Sequence, residues 1–353
     1  MRLLKSNNGL IGVDITSATV KLLELKPTAD NYCVESYAVR PLREGAVIER
    51  RIQDIDDVAS VLSRAVEHAK PSTRKAAVAV PASAAITKTL NFPAGLSEDD
   101  IEERIIAESD RHIPFPFNEV AFDFQRLGPS PYDEGEQRVL LVACRQHDVS
   151  QLTETLERAG LEPAAVDVET FAMERSFEVL KRQLSVELDP STCVGLVDFG
   201  ANMNAFHVMR GGHIVYSRDT VFGGRQLTDA IRERYDLSME EAGFAKKRGG
   251  LPDDYQEKVL NPFLETVVQQ VGRSLQLYYT AGRHHEVKEI VLGGGSSVIP
   301  GLAERIAEDS GMRVTIANPF QTMQINKRLN IEGLTNDAPA MLTACGLAMR
   351  AGQ

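Results

Sequence analysis

Several things are missing from this chain of 353 residues. It has no basic excess, since 39 Lys and Arg stand against 50 Asp and Glu for a formal charge of −11. Binding a nucleic-acid backbone or adhering to an anionic membrane needs the opposite sign, so neither nucleic acid nor direct membrane contact is expected. The cysteines Cys33, Cys144, Cys193 and Cys345 form no CxxC or CxxH spacing and follow no secretory signal. They read as reduced core thiols of a cytoplasmic protein. The longest apolar runs, such as Val139 to Cys144, are strand-sized, so any membrane role is expected to come through a partner. The GxxxxGKS/T phosphate loop is absent as well.

What is present is globular composition, 43% hydrophobic and 25% charged, at a length suited to two or three domains. The chain is organised around Gly12 to Lys21, which reads as strand, small polar turn, second strand, with Asp14 closing the first strand and Lys21 inside the second. Turn amides pointing inward make an anion nest, Lys21 adds a point charge for a phosphate, and Asp14 would face a hydrated magnesium ion. An ordinary hairpin turn is the plainer alternative, because Thr16, Ser17, Ala18 and Thr19 are also turn formers for local reasons. Beyond it, the apolar spacing predicts a helix over 54–70 and a short strand ended by Pro81.

A second unit opens near Ser83. Ser97 and the acids at 98 to 100 start a helix running to about His112, and Pro114 stops it. Ile113-Pro114-Phe115-Pro116-Phe117 follows, a stiff apolar stretch beside a strand. It is either core and turn or a groove for a short extended peptide, with Ile113, Phe115 and Phe117 as the contact residues. Strands over 121–127 and 138–144 and a helix over 148–159 complete a small α+β module at about 84–164. Asp167 and Glu169 then fall at a strand's end and a helix's start, where an acid can position water or metal; a first-turn acid is the ordinary alternative for Glu169.

The opening pattern recurs at Cys193–Phe199 with Asp198, Gly200, Ala201 and Asn202, and Gly211-Gly212 is a two-residue hairpin turn. Two such loops facing each other would clamp a phosphate chain and its magnesium, held through Asp14 and Asp198. A strand at 289–292 then runs into Gly293, Gly294, Gly295 and Ser296, letting a flat ring or ribose approach bare backbone. Val298 stands where a GxGxxG motif needs its third glycine.

In this order and spacing, Gly12 to Lys21, Asp198 to Asn202 and Leu292 to Leu302 resemble the two phosphate loops and the adenosine motif of the actin, Hsp70 and sugar-kinase superfamily. Phe222 to Leu227, with Gly223 and Gly224, resembles the turn leading into the second lobe's variable subdomain, and Thr343 to Ala348 its interlobe small-residue helix. Within the superfamily the chain is similar to the PilM family of type IV pilus assembly. The opening strands, Asp198-Phe199-Gly200-Ala201 and above all the Ile113 to Phe117 segment carry that likeness. The FtsA division proteins share the inserted module but end in an amphipathic membrane helix, whereas this sequence stops at Gln353.

The resemblance implies an α/β, two-lobed actin-like ATPase fold with an FtsA-type inserted subdomain. Its expected parts are 1A at 1–83, 165–191 and 337–353, 1C at 84–164, 2A at 192–222 and 286–336, and 2B at 223–285. It implies ATP and Mg²⁺ in the cleft, held by Asp14, the 16–19 turn, Lys21, Gly200, Ala201, Asn202, Gly223, Gly224, Lys246, Gly294, Gly295 and Ser296. It also implies a scaffold role with little turnover, coupling motor ATPases to the inner membrane by taking the N-terminal tail of PilN; homodimerisation stays open. The sequence departs from the pattern in two respects. Asn202 and Asn204 stand where relatives carry Gly, Ser or Thr, and Gly243 stands where an acid would precede Lys246. The alternatives are a phosphotransferase or ATPase using Asp167 or Glu169 as base, and an FtsA-like filament.

Overall fold

The structure, a computed structural model, describes residues 9–282 and 285–352; the expected segments' positions 1–8, 283, 284 and 353 lie outside the described residues. Two sheets carry the molecule, and their order follows one rule. In the first lobe, Tyr32–Pro41, Thr19–Pro27 and Leu10–Ile15 form an antiparallel meander, and Lys75–Val80 and Glu162–Val168 extend it in parallel. In the second lobe, His213–Thr220, Asn204–Arg210 and Cys193–Phe199 make the same meander, extended by Val287–Gly293 and Arg313–Ile316. Val20, Leu22, Leu23 and Leu25 and the run Cys193 to Val197 are buried on both faces, as strands covered by helices must be.

Each helix follows from its ends. Ile55–Ala69 is capped by Asp54, whose side chain accepts from the Asp57 amide, and lays Val58, Val61, Leu62 and Val66 on the first sheet. Glu98–Ala107 starts with a reciprocal Ser97–Asp100 box. The helix expected to reach His112 stops at Ala107, and Ser109–His112 follows as a separate turn. The Gly211-Gly212 turn has φ of 59° and 88°, left-handed at both positions, as its glycines predict.

Two helices stand between the lobes. Leu342–Ala348 lies so close to the opening strand that a Cβ on Gly12 would collide with the Ala344 carbonyl. A Cβ on Gly346 would likewise meet the Ala172 carbonyl of helix Glu169–Leu180. That helix reaches the second lobe as well, packing Met173 and Phe177 against Val194, Leu196 and Val291. The return to the first lobe comes before 337, for Gln324–Ile325 pairs with Cys33–Val34, and Phe320 and Met323 join the core around Leu23 and Leu25.

The module inserted before Glu162 is a three-stranded sheet, Ile86–Pro93, Glu136–Arg145 and Val120–Pro129, with Glu136–Arg145 central. Ile101 and Ile105 pack onto it, so the module has its own small core. Among the described residues no helix is long and apolar enough to cross a membrane.

Candidate functional site

Between the two meanders lies a cavity of about 880 Å³. Both tight turns open onto it. Asp14, Thr16, Ser17 and Ala18 line it from the first lobe, and Asp198, Gly200, Ala201 and Asn202 from the second, with Lys246 and Ser296 at one side. The Asn202 amide donates to the Ser17 hydroxyl at 2.9 Å, so the two turns touch directly. Arg225 of the second lobe reaches Glu44 of the first at 2.9 Å, a second contact across the cleft.

The first turn is more self-contained than an anion nest requires. The Thr16 amide donates to the Thr19 carbonyl at 2.9 Å, and the Thr19 amide returns to the Thr16 hydroxyl at 3.1 Å. Thr19 does not line the cavity, and neither does Lys21, whose ammonium is bound to Asp14 at 2.6 Å. The strand register explains it: Asp14 and Lys21 are directly opposed across the ladder, with side chains on one face. Expected as a phosphate contact, Lys21 instead neutralises the acid beside it.

Gly223, Gly224, Gly294 and Gly295 stand one layer behind the lining. Close approach requires the first three, whereas a Cβ on Gly295 would make only an ordinary contact with Ala340 at 3.8 Å. The Gly224 and Arg225 amides donate to the Gly200 and Ala201 carbonyls at 3.0 and 2.8 Å, and a Cβ on Gly224 would strike the Ser296 hydroxyl. Gly294, at φ 86°, brings the third loop against Phe199, and its Cβ would lie 2.6 Å from Asp198 Oδ1. The helix that follows starts only at Leu302, after a turn. Lys246 donates to the Gly224 carbonyl and the Thr228 hydroxyl at 2.9 and 2.7 Å; burial, with Lys247 and Arg225 adding to it, brings its pKa down to about 8. Gly243 lines the cavity beside it, where an acid was the expectation.

The two candidate acids separate sharply. Asp167 is buried away from the cavity and held by Arg175 and Arg350. As a catalytic candidate it is withdrawn, because both arginines already occupy its carboxylate. Glu169, two residues on, lines the cavity and pairs with Arg50. Burial pushes its pKa up to about 7, with Asp198, Asp14 and Asp219 adding and Arg50 opposing. Asp198 is raised for the same first reason, desolvation, against the pull of Lys21 and Arg50. Deeper in the second sheet, His207 is buried against Ser217 and pushed down to about 4 by burial and the nearby Arg50.

Arg50 on the cavity wall and Asp219 near it are charged residues that the sequence did not single out. Arg50 sits at the tip of a small hairpin, Val47–Ile48 against Arg51–Ile52, with Glu49 and Arg50 at φ 48° and 63°. A Glu-Arg pair is not a usual left-handed turn, so the dipeptide gave no signal. The paired apolar residues flanking it were the trace that could have been followed.

In the inserted module, Ile113 is 3% exposed and belongs to the core, so it is not a surface contact as expected. Phe115 and Phe117 are half-buried: the Arg145 guanidinium lies 4.1 Å over the Phe115 ring, and Phe117 packs on Phe122. Val120–Pro129 beside them is an edge strand, paired on one side only among the described residues.

Two lobes of one topology, closing on an acid-floored cleft with a turn from each side, define the actin-like class of fold. The profile of the family described as type IV pilus assembly protein PilM matches residues 12–352, and the chain belongs to that family. Among solved structures, a chain of a PilM–PilN type IV pilus biogenesis complex is similar at TM-score 0.78 and 26% identity, over 98% of this chain and 99% of that one. The ethanolamine utilization protein EutJ from Carboxydothermus hydrogenoformans matches at 0.57 and 16%, over 96% and 88%. The archaeal actin homolog Ta0583, in complex with ADP, matches at 0.54 and 11%, over 98% and 99%.

Proposed function

We propose that this protein is a nucleotide-closed scaffold of type IV pilus assembly, taking ATP with magnesium between its lobes and the N-terminal tail of PilN at its inserted module. The observation that carries this reading is the likeness, along nearly the whole chain, to a chain solved in a PilM–PilN complex. The cavity has the size of a small-molecule site. Its walls suit a hydrated divalent cation, because Asp14, Asp198 and Glu169 line the cavity while Lys21 and Arg50 pair with only two of them. Among the described residues no three His, Cys, Asp or Glu gather to hold a metal alone. Magnesium fits such walls, since it keeps much of its water and takes one or two carboxylates, here Asp14 and Asp198, together with phosphate oxygens.

A bound nucleotide supplies a ligand common to both lobes, and binding only the closed form stabilises that form by mass action. Asn202, Ser17, Glu44 and Arg225 hold the closed arrangement from the protein's side. For the tail, Phe115, Phe117 and the Val120–Pro129 edge offer apolar surface beside unpaired backbone, which suits an extended segment. Other pilus components, motor ATPases among them, would meet the remaining faces, and the protein would lie against the inner membrane through its partners.

Titration of a labelled PilN N-terminal peptide, with and without ATP and magnesium, tests this. Saturable micromolar binding that tightens with nucleotide is expected. No binding in either condition overturns the scaffold reading. A second reading, an ATPase or phosphotransferase, draws on Glu169, an acid near neutral pKa at the cavity wall. Steady phosphate release on the order of 10 per second would favour it over the scaffold.

A further inference from the structure

We propose that Arg50 distinguishes a nucleoside triphosphate from a diphosphate in this cleft, its guanidinium exchanging the Glu169 carboxylate for the terminal phosphate. The inference rests on the nucleotide reading above and assigns a specificity role within that site. Arg50 lines the cavity from the first lobe, with its side chain 17% exposed. Burial works against its charge, but the carboxylates of Glu169, Asp219, Asp198 and Asp14 outweigh it and hold the group protonated. Asp198 and Asp219 come from the other lobe, so Arg50 faces acids of both.

The other cations around the cavity are committed elsewhere. Lys21 is bound to Asp14 at 2.6 Å, Lys246 to the Gly224 carbonyl and Thr228, and Arg225 to Glu44 at 2.9 Å. Arg50 is held by Glu169 on the cavity wall itself, where burial already disfavours that partner's charged form, so a ligand phosphate can take its place. The exchange also suits the guanidinium, since its planar fork matches a phosphate in two parallel hydrogen bonds where a lysine offers one point charge. Both tip residues, Glu49 and Arg50, are held at positive φ, a conformation that non-glycine residues keep only when the surroundings enforce it. The hairpin therefore delivers the side chain to one place.

The experiment is calorimetric titration of ATP and of ADP, each with magnesium, into the nucleotide-free full chain and its Arg50→Lys, Arg50→Ala and Glu169→Gln variants, with melting temperatures alongside. The wild type is expected to prefer ATP about tenfold or more, the scale of one charged hydrogen-bonded contact. Arg50→Lys should weaken ATP about tenfold and ADP far less, while melting within a few degrees of wild type. Glu169→Gln should keep or widen the preference. An ATP-to-ADP ratio unchanged in both Arg50 variants, or an equal loss for the two nucleotides, overturns the proposal while leaving nucleotide binding standing. A wild type that binds neither nucleotide overturns the nucleotide reading itself, and this inference with it.

Discussion

The two lobes share one strand order and place an acid at the same point of it, yet they treat that acid differently. In the first lobe, Asp14 faces Lys21 across the ladder and is bound to it; in the second, Asp198 faces Ala205. The first lobe's acid is thus neutralised within its own sheet. The second lobe's acid has no cation opposite it, and desolvation raises its pKa. The difference teaches that the second lobe's acid draws its positive charge from across the cleft, since Lys21 and then Arg50, both of the first lobe, work against the desolvation that raises its pKa.

The strongest way to break the comparison is to disable one lobe alone. The small-residue helix presses on the first lobe's opening strand and on helix Glu169–Leu180, and a side chain at Gly346 would collide with backbone that no rotamer can avoid. Gly346→Val is expected to cost about 3 kcal/mol or more, with hydrogen exchange showing first-lobe amides opening before second-lobe ones.

Next comes the pH dependence set by Glu169, the first lobe's buried acid on the cavity wall. A carboxyl with a higher pKa folded than unfolded binds its proton more tightly in the folded chain. Glu169 therefore contributes stability that is fully present below pH 4.5 and is lost as pH rises toward about 7, amounting to about 3 kcal/mol. Urea midpoints measured from pH 4.5 to 8 should fall on this limb in the wild type and flatten in Glu169→Gln.

A paired substitution sharpens the contrast directly. Asp14→Asn strands the Lys21 ammonium, 10% exposed, and should cost about 2 kcal/mol. Asp198→Asn removes a charge that has no cross-strand partner, so its urea midpoint at pH 8 should hold or rise. Equal losses in the two variants would show that the lobes do not differ in this way.

The smallest effect belongs to the contacts that join the lobes. Glu44 is exposed, so Arg225→Ala should cost under about 1 kcal/mol, and less at high salt. Its expected signature is mechanical: together with Asn202→Ala it should speed proteolysis of the nucleotide-free chain by loosening closure.

Much of this was readable along the chain. Strand, small polar turn and strand were legible in both lobes, Gly211-Gly212 marked its hairpin, and the recurrence of strand, acid, small turn and strand marked two lobes of one plan. Residue spacing does not say which nearby anion Lys21 meets in the folded chain; the register, setting it opposite Asp14, does. The Ile113 to Phe117 segment divided for a similar reason. The apolar run was visible, but only packing put Ile113 inside and left Phe115 and Phe117 partly out.

By itself, then, the sequence determined the strand and helix periodicity, the glycines demanded by close approach, the net negative charge and the family likeness, since each is local or summed along the chain. The tertiary structure alone decided which of Asp167 and Glu169 faces the cleft, that Arg50 arrives there from a distant hairpin, and that Asn202 meets Ser17. Those are pairings between residues far apart in the chain, and burial in a shared low-dielectric space, which sets their charge, exists only once the lobes have closed on each other.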